Sequence, residues 1–147
     1  MARALQLSSG SAHAGHSPSF PTSHRPSQAQ PGAADFGNVI TYTLTLIGSG
    51  APITLTDAIP PGAAYVAGSA SRQPEFGVVL SGTTGITWTG TLTAAEVLQV
   101  TFAVTVTATG PQAIVNRARL DDGQGTIERT ATTLANGLEV YLPLVRK

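Results

Sequence analysis

Two stretches of the chain alternate strictly between apolar and polar or small positions. Ile40, Tyr42, Leu44 and Leu46 fall on one parity and Thr41, Thr43 and Thr45 on the other. Further on, Leu98, Val100, Phe102, Val104 and Val106 alternate with Gln99, Thr101, Ala103, Thr105 and Thr107. Successive side chains of an extended chain point to opposite faces, so each stretch predicts a strand with one face buried and one in water.

Shorter runs of the same kind lie at Ile53 to Asp57, Ala64 to Ser69, Val78 to Ser81, Ile86 to Thr89, Ala113 to Leu120, Thr126 to Thr133 and Leu138 to Val145. Gly48-Ser49-Gly50, Pro60-Pro61-Gly62, Gly82 to Gly85, Gly110-Pro111, Asp121-Asp122-Gly123 and Asn136-Gly137 separate them with residues that favour turns. Only Thr93 to Leu98 suggests a helical turn. Short strands at this spacing predict an all-β fold, an immunoglobulin-like two-sheet Greek-key sandwich of about seven to nine strands over residues 35–147. Residues 1–34 are rich in Ser, Pro, Ala, Gly, Gln and His, and after Met1 only Leu5, Leu7 and Phe20 are large apolar side chains. They read as a tail or linker, disordered or docked on the sandwich.

Composition sharpens this picture in two ways. Charged residues are only 11% of the 147, against about 25% in ordinary globular proteins, and 20 threonines make the exposed faces polar instead. β-Branched side chains of this kind also favour the pleated sheet. Eight basic and eight acidic residues cancel, which argues against nucleic acid or an anionic membrane as partner. No run approaches the roughly 18 apolar residues of a membrane span, and Met1 to Gly15 has no apolar signal-peptide core. If the protein is exported, a truncated gene model or a fragment of a longer protein would account for the missing signal.

The segments Ile40-Thr-Tyr-Thr-Leu-Thr-Leu46, Leu55-Thr-Asp-Ala-Ile-Pro-Pro-Gly62, Ile86-Thr-Trp-Thr-Gly-Thr-Leu92 and Ile114-Val-Asn-Arg-Ala118 occur in that order. Together they resemble the conserved-repeat domain called domain of unknown function eleven, over about residues 32–134. That family recurs, often in tandem, in large bacterial and archaeal surface proteins, so the resemblance implies an immunoglobulin-like module at the cell surface. Two features depart from it: Ala94-Ala95-Glu96 stands where the family usually has Pro-Gly, and one copy of the repeat is present. The ending Val140-Tyr-Leu-Pro-Leu-Val-Arg-Lys147 is similar to a terminal signature of exported proteins from filamentous green bacteria, which also implies a surface address. It is not a sortase signal, because Leu144 and Val145 follow Leu142-Pro143.

Candidate chemistry is sparse. Cysteine is absent, which removes disulfides, thiolate catalysis and cysteine-bound zinc. All three histidines, His13, His16 and His24, lie in the tail, leaving the sandwich without an imidazole base. The one lysine is Lys147, which argues against a Schiff base and against an internal Lys-Asn isopeptide bond. Asp121 and Asp122 with Gly123 read as a turn; a calcium site joining them to Asp35 or Asp57 is the alternative. Asp57 reads as a structural carboxylate accepting backbone N–H bonds where its strand ends. Trp88 shares the parity of Ile86 and reads as core, with a sugar-stacking platform as the alternative. Asn116 shares the inward parity of Ile114 and Ala118 and reads as a buried amide tied to backbone groups, with Arg117 and Arg119 outward.

The expectation is therefore a protein with no catalytic site, no cofactor and no metal: an extracellular spacer, repeat unit or adhesive module. Its expected partners are copies of the same or related domains. The run Leu138, Val140, Leu142 and Leu144 is either a last strand of the sheet or a strand given to a neighbouring subunit, and the tail near Leu5 and Leu7 is a second candidate donor. Repeated head to tail, such donation builds a filament. A calcium- or carbohydrate-binding adhesin, using Tyr65, Tyr141 or the Asp pair, is the remaining alternative.

Overall fold

The computed structural model describes residues 4–12 and 32–137. Among them are eleven strands and no helix: β1 (Ala4–Ala12), β2 (Gly32–Ala34), β3 (Val39–Ile47), β4 (Pro52–Ala58), β5 (Ala63–Tyr65), β6 (Ser71–Gln73), β7 (Val78–Gly82), β8 (Gly85–Thr91), β9 (Val97–Val106), β10 (Gln112–Asp121) and β11 (Thr126–Ala135). They form two sheets. One runs β1-β3-β9-β5, with β6 also on β9; the other runs β2-β11-β10-β4-β8-β7. Every pairing is antiparallel except that of β2 with β11.

The period-two runs set the packing. Ile40, Tyr42, Leu44 and Leu46 of β3 and Leu98, Val100, Phe102, Val104 and Val106 of β9 are all buried, and they meet Ile53, Leu55, Ile86, Trp88, Ile114, Ala118 and Leu120 from the facing sheet. The register places Tyr42 directly opposite Phe102, with ring centroids 5.3 Å apart. Thr43 stands opposite Thr101 on the solvent side of the same pair. A one-residue slip would turn this whole apolar set into water, so the alternation itself fixes the register.

Trp88 is fully buried and donates from Nε1 to the Phe76 carbonyl at 3.1 Å, with the Phe76 ring edge-on. Two glycines admit it. A Cβ on Gly90 would lie 2.6 Å from Trp88 Cζ2, and one on Gly77 would lie 2.7 Å from the same ring at a φ of +72°.

The structure refines the sequence reading at several points. Of the tail expected to be disordered or docked, residues 4–12 dock as an edge strand, nine residues in register with β3 with Leu5 in the core, and residues 32–34 form β2 against β11. Of the expected Ala64 to Ser69 strand only Ala64 and Tyr65 fall in a strand, β5, because the chain turns back where Ser69 N–H donates to Val66 O. The expected helical turn at Thr93 to Leu98 is a tight turn: Glu96 N–H reaches Thr93 O, and Ala95 sits at φ +65°, which a right-handed helix does not allow. Ser71–Gln73 pairs with β9 without an apolar alternation to announce it. The expected strand Leu138 to Val145 lies outside the described residues.

The sandwich has two distinct poles. At one, Ala4 pairs with Ile47 and Ile47 with Val97. At the other, Asn136 joins three segments: its Nδ2 donates to Ala108 O at 2.7 Å and Gly110 O at 3.0 Å, and its Oδ1 accepts from Phe36 N–H at 2.8 Å. The first described strand begins at the first pole, and the last described strand ends at the second.

Candidate functional site

Asp57, Asn116 and Thr133 are the buried polar side chains of the described residues, and all three face the core from one sheet. Strand parity puts them there: Asp57 follows Ile53 and Leu55 on β4, Asn116 lies between Ile114 and Ala118 on β10, and Thr133 precedes Ala135 on β11. Because Ala118 is opposite Asp57 and Ile114 opposite Thr133, Asn116 sits diagonally between the two. Asn116 Nδ2 donates to Asp57 Oδ2 at 2.8 Å. Tyr42 faces them from the other sheet.

Burial dominates the electrostatics here. It pushes the Asp57 carboxyl up to about 7, with the Asn116 hydrogen bond opposing it. Burial pushes the Tyr42 phenol up to about 12, the charge of Asp57 adds to this, and the neighbouring Thr133 hydroxyl acts in the other direction. Asp57 Oδ1, Asn116 Oδ1, Tyr42 OH and Thr133 Oγ1 are buried with no hydrogen-bond partner among the described residues. The Asn116–Asp57 bond ties β10 to β4 in this register, because a slip of either strand would break it. With Asp57 and Asn116 at 1% and 0% exposure, no substrate reaches it.

Two expectations are corrected at this point. Asp57 does not accept backbone N–H groups at a strand end, and Asn116 is not tied to backbone; each is the other's partner across β4 and β10. The reason is register, which brings residues 59 apart in sequence side by side. Sequence reasoning also read Tyr42 only as an apolar core residue and left Thr133 without a role. The inward parity of Thr133 was the available signal.

The other candidates fall elsewhere. Asp121 Oδ1 accepts from Gly123 N–H at 2.8 Å, and Asp122 Oδ1 accepts from Gln124 and Gly125 N–H at 3.0 and 3.1 Å, so both carboxylates shape the β10–β11 turn. The structure does not bring them to Asp57, which is interior, and no three acidic or imidazole groups converge among the described residues. Trp88 is in the core, and Tyr65 is half-buried with its hydroxyl accepting from Ala70 N–H. Arg117 and Arg119 point outward and pair with Glu128 at 3.2 Å and Asp121 at 3.5 Å. A shallow depression of about 280 Å³ beside Arg119 is lined by Thr54, Thr56, Arg119 and Asp121. Leu138, Val140, Leu142, Leu144 and Tyr141 lie outside the described residues, as do the three histidines.

Neither a family model nor a curated protein matches this sequence. Solved structures do match in fold. A putative membrane-anchored protein from Corynebacterium diphtheriae aligns over 99% of this chain and 38% of its own, with a TM-score of 0.59 at 12% identity. The pilus backbone protein RrgB of Streptococcus pneumoniae aligns over 67% of this chain and 28% of its own, with a TM-score of 0.52 at 17% identity. The collagen-binding domain of the Erysipelothrix rhusiopathiae surface protein RspB aligns over 68% and 45%, with a TM-score of 0.51 at 12% identity. The chain thus spans less than half of each of these chains, and its fold is that of immunoglobulin-like domains in bacterial surface proteins.

Proposed function

We propose that this chain is a non-catalytic, extracellular structural module: a spacer or repeat unit of a bacterial cell-surface protein, belonging to the conserved-repeat surface family that its four ordered motifs resemble. The observation that carries this reading is the placement of the first and last described strands. Ala4 and Asn136 lie at opposite poles, so modules joined in series extend end to end instead of folding back. The polar cluster supports it as well, since its ionisable group is sealed inside the core and serves packing. The kinship in fold with pilus, adhesin and anchored-protein domains favours the same address.

One observation favours assembly of copies as a second reading: the strand β1, joined to the rest by residues 13–31, occupies a sheet edge of a kind that extended segments recognise. The surface reading is tested on intact cells of the source organism with antibody against residues 32–137 and with protease shaving. Labelling and cleavage without lysis are the expected results. A protein reached only after lysis overturns it.

A further inference from the structure

β1 holds to the sandwich by one edge. Its nine residues pair with β3 at the edge of the sheet, and among those whose burial is described Leu5, opposite Leu46, is the side chain seated fully in the core. Leu7, opposite Leu44, is half-buried, while Gln6, Ser8, Gly10 and Ser11 are exposed. Its attachment is a backbone ladder to β3, Leu5 in its slot, Leu7 packed against the core, side contacts with β11 and β2, and the Ser11 bond to Ala33, all contacts that the same segment can make from a second chain.

The connection to the next strand is far longer than the fold requires. Ser11 Oγ donates to Ala33 O at 3.2 Å, so β1 and β2 lie side by side, and a handful of residues would join them. Residues 13–31 lie between them instead, enough chain to reach roughly 60 Å when extended. The sandwich itself is roughly 30 Å from pole to pole, on the length of its nine-residue strands.

We propose that β1 exchanges between copies: Ala4–Ala12 of one chain seats on the Val39–Ile47 edge of a second, in the same antiparallel register, with Leu5 beside Leu46. The exchange rests on the surface-module reading for its setting, where copies are crowded, and on the geometry of β1 for its mechanism. Own-chain and second-chain docking make the same contacts, so their balance is set by concentration. A tether of 19 residues sets the effective concentration of the strand on the order of 1 mM. Reciprocal exchange closes a dimer, and exchange passed along from copy to copy builds an open polymer.

The chain has no cysteine, which permits a direct test. Gln6 and Thr45 stand opposite each other on the solvent face of the β1–β3 pair. Their Cβ atoms are about 4.5–5.5 Å apart in such a pair, near the range a disulfide spans. Full-length Gln6→Cys and Thr45→Cys proteins are mixed at 10 μM to 1 mM under mild oxidation. The expected product is a disulfide-linked dimer of about twice the 15.0 kDa monomer, rising from about one chain in a hundred at the low end towards half at the high end. A peptide of residues 4–12 in excess suppresses it. Gln6→Cys mixed with Thr56→Cys, on the other sheet's outer face, sets the collisional background. If the double variant Gln6→Cys/Thr45→Cys closes within one chain but the mixed single variants stay at background, exchange is overturned, while the cell-labelling result still decides the surface reading by itself. If the double variant also fails to close, β1 does not hold this register and exchange is overturned at its premise.

Discussion

The amide of Asn116 donates to the carboxyl of Asp57 at 2.8 Å in the interior of the sandwich, across the pairing of β10 with β4. Residues 59 apart in sequence thus form the polar anchor of an otherwise apolar core. Tyr42 and Thr133 complete its surroundings, and the pair gives the domain a distinct pH dependence.

Burial raises the Asp57 carboxyl from 3.8 to about 7 in the folded state. Below pH 4 it is protonated whether folded or not, and its contribution is fully present. Between pH 4 and 7 the unfolded chain releases the proton and the folded chain keeps it, so stability falls as pH rises through that window, by up to roughly 4 kcal/mol. Urea denaturation is expected to show a higher midpoint at pH 4.5 than at pH 8. In Asp57→Asn this difference shrinks markedly; an unchanged slope would place its origin elsewhere.

Asn116→Ala leaves Asp57 without its donor and opens a small cavity. An expected loss of about 2–4 kcal/mol follows in the same denaturation experiment. The variant also loses the interaction that favours the ionised carboxylate, so the pH window of Asp57 moves upward, which a purely volumetric defect would not produce.

Gly90→Ala directs a methyl group to within 2.6 Å of the Trp88 ring, and the indole must shift. About 1–3 kcal/mol of destabilisation is expected. Fluorescence of the single tryptophan reports it: a red shift in the native state marks loosening of this corner, and an unmoved spectrum with unchanged stability would contradict the packing described.

Asn136→Ala removes three hydrogen bonds that tie Phe36, Ala108 and Gly110 together, and it places alanine at φ +49°. A loss of about 2–4 kcal/mol is expected, with faster hydrogen exchange at the Phe36 amide. Asn136→Gly suits the backbone but not the bonds, so it recovers only part of the loss.

Much of this architecture is legible in the residues. Period two in β3 and β9 gives both strands and their buried faces, and parity alone places Asn116 inward and Arg117 and Arg119 outward. The Asp121-Asp122-Gly123 turn follows from side chains that bond their own backbone. What parity does not carry is register. The partner of Asp57 depends on which residues β4 and β10 set side by side, and no local pattern encodes that. Of β1, only the end near Leu5 and Leu7 is legible, as a candidate edge strand; its extent to Ala12 is not, because Ser8-Ser9-Gly10-Ser11 has no apolar alternation and backbone groups do most of its pairing.

Ala4 and Gly137, the first and last described residues, lie at opposite poles of the sandwich, which is what lets modules in series extend. With no native cysteine, spin labels at Ala4→Cys and Gly137→Cys in dilute full-length protein measure their separation directly. The predicted result is a distance distribution centred at roughly 30 Å, the length of a nine-residue strand. A distribution centred below about 15 Å, which would put both residues at the same pole, contradicts it.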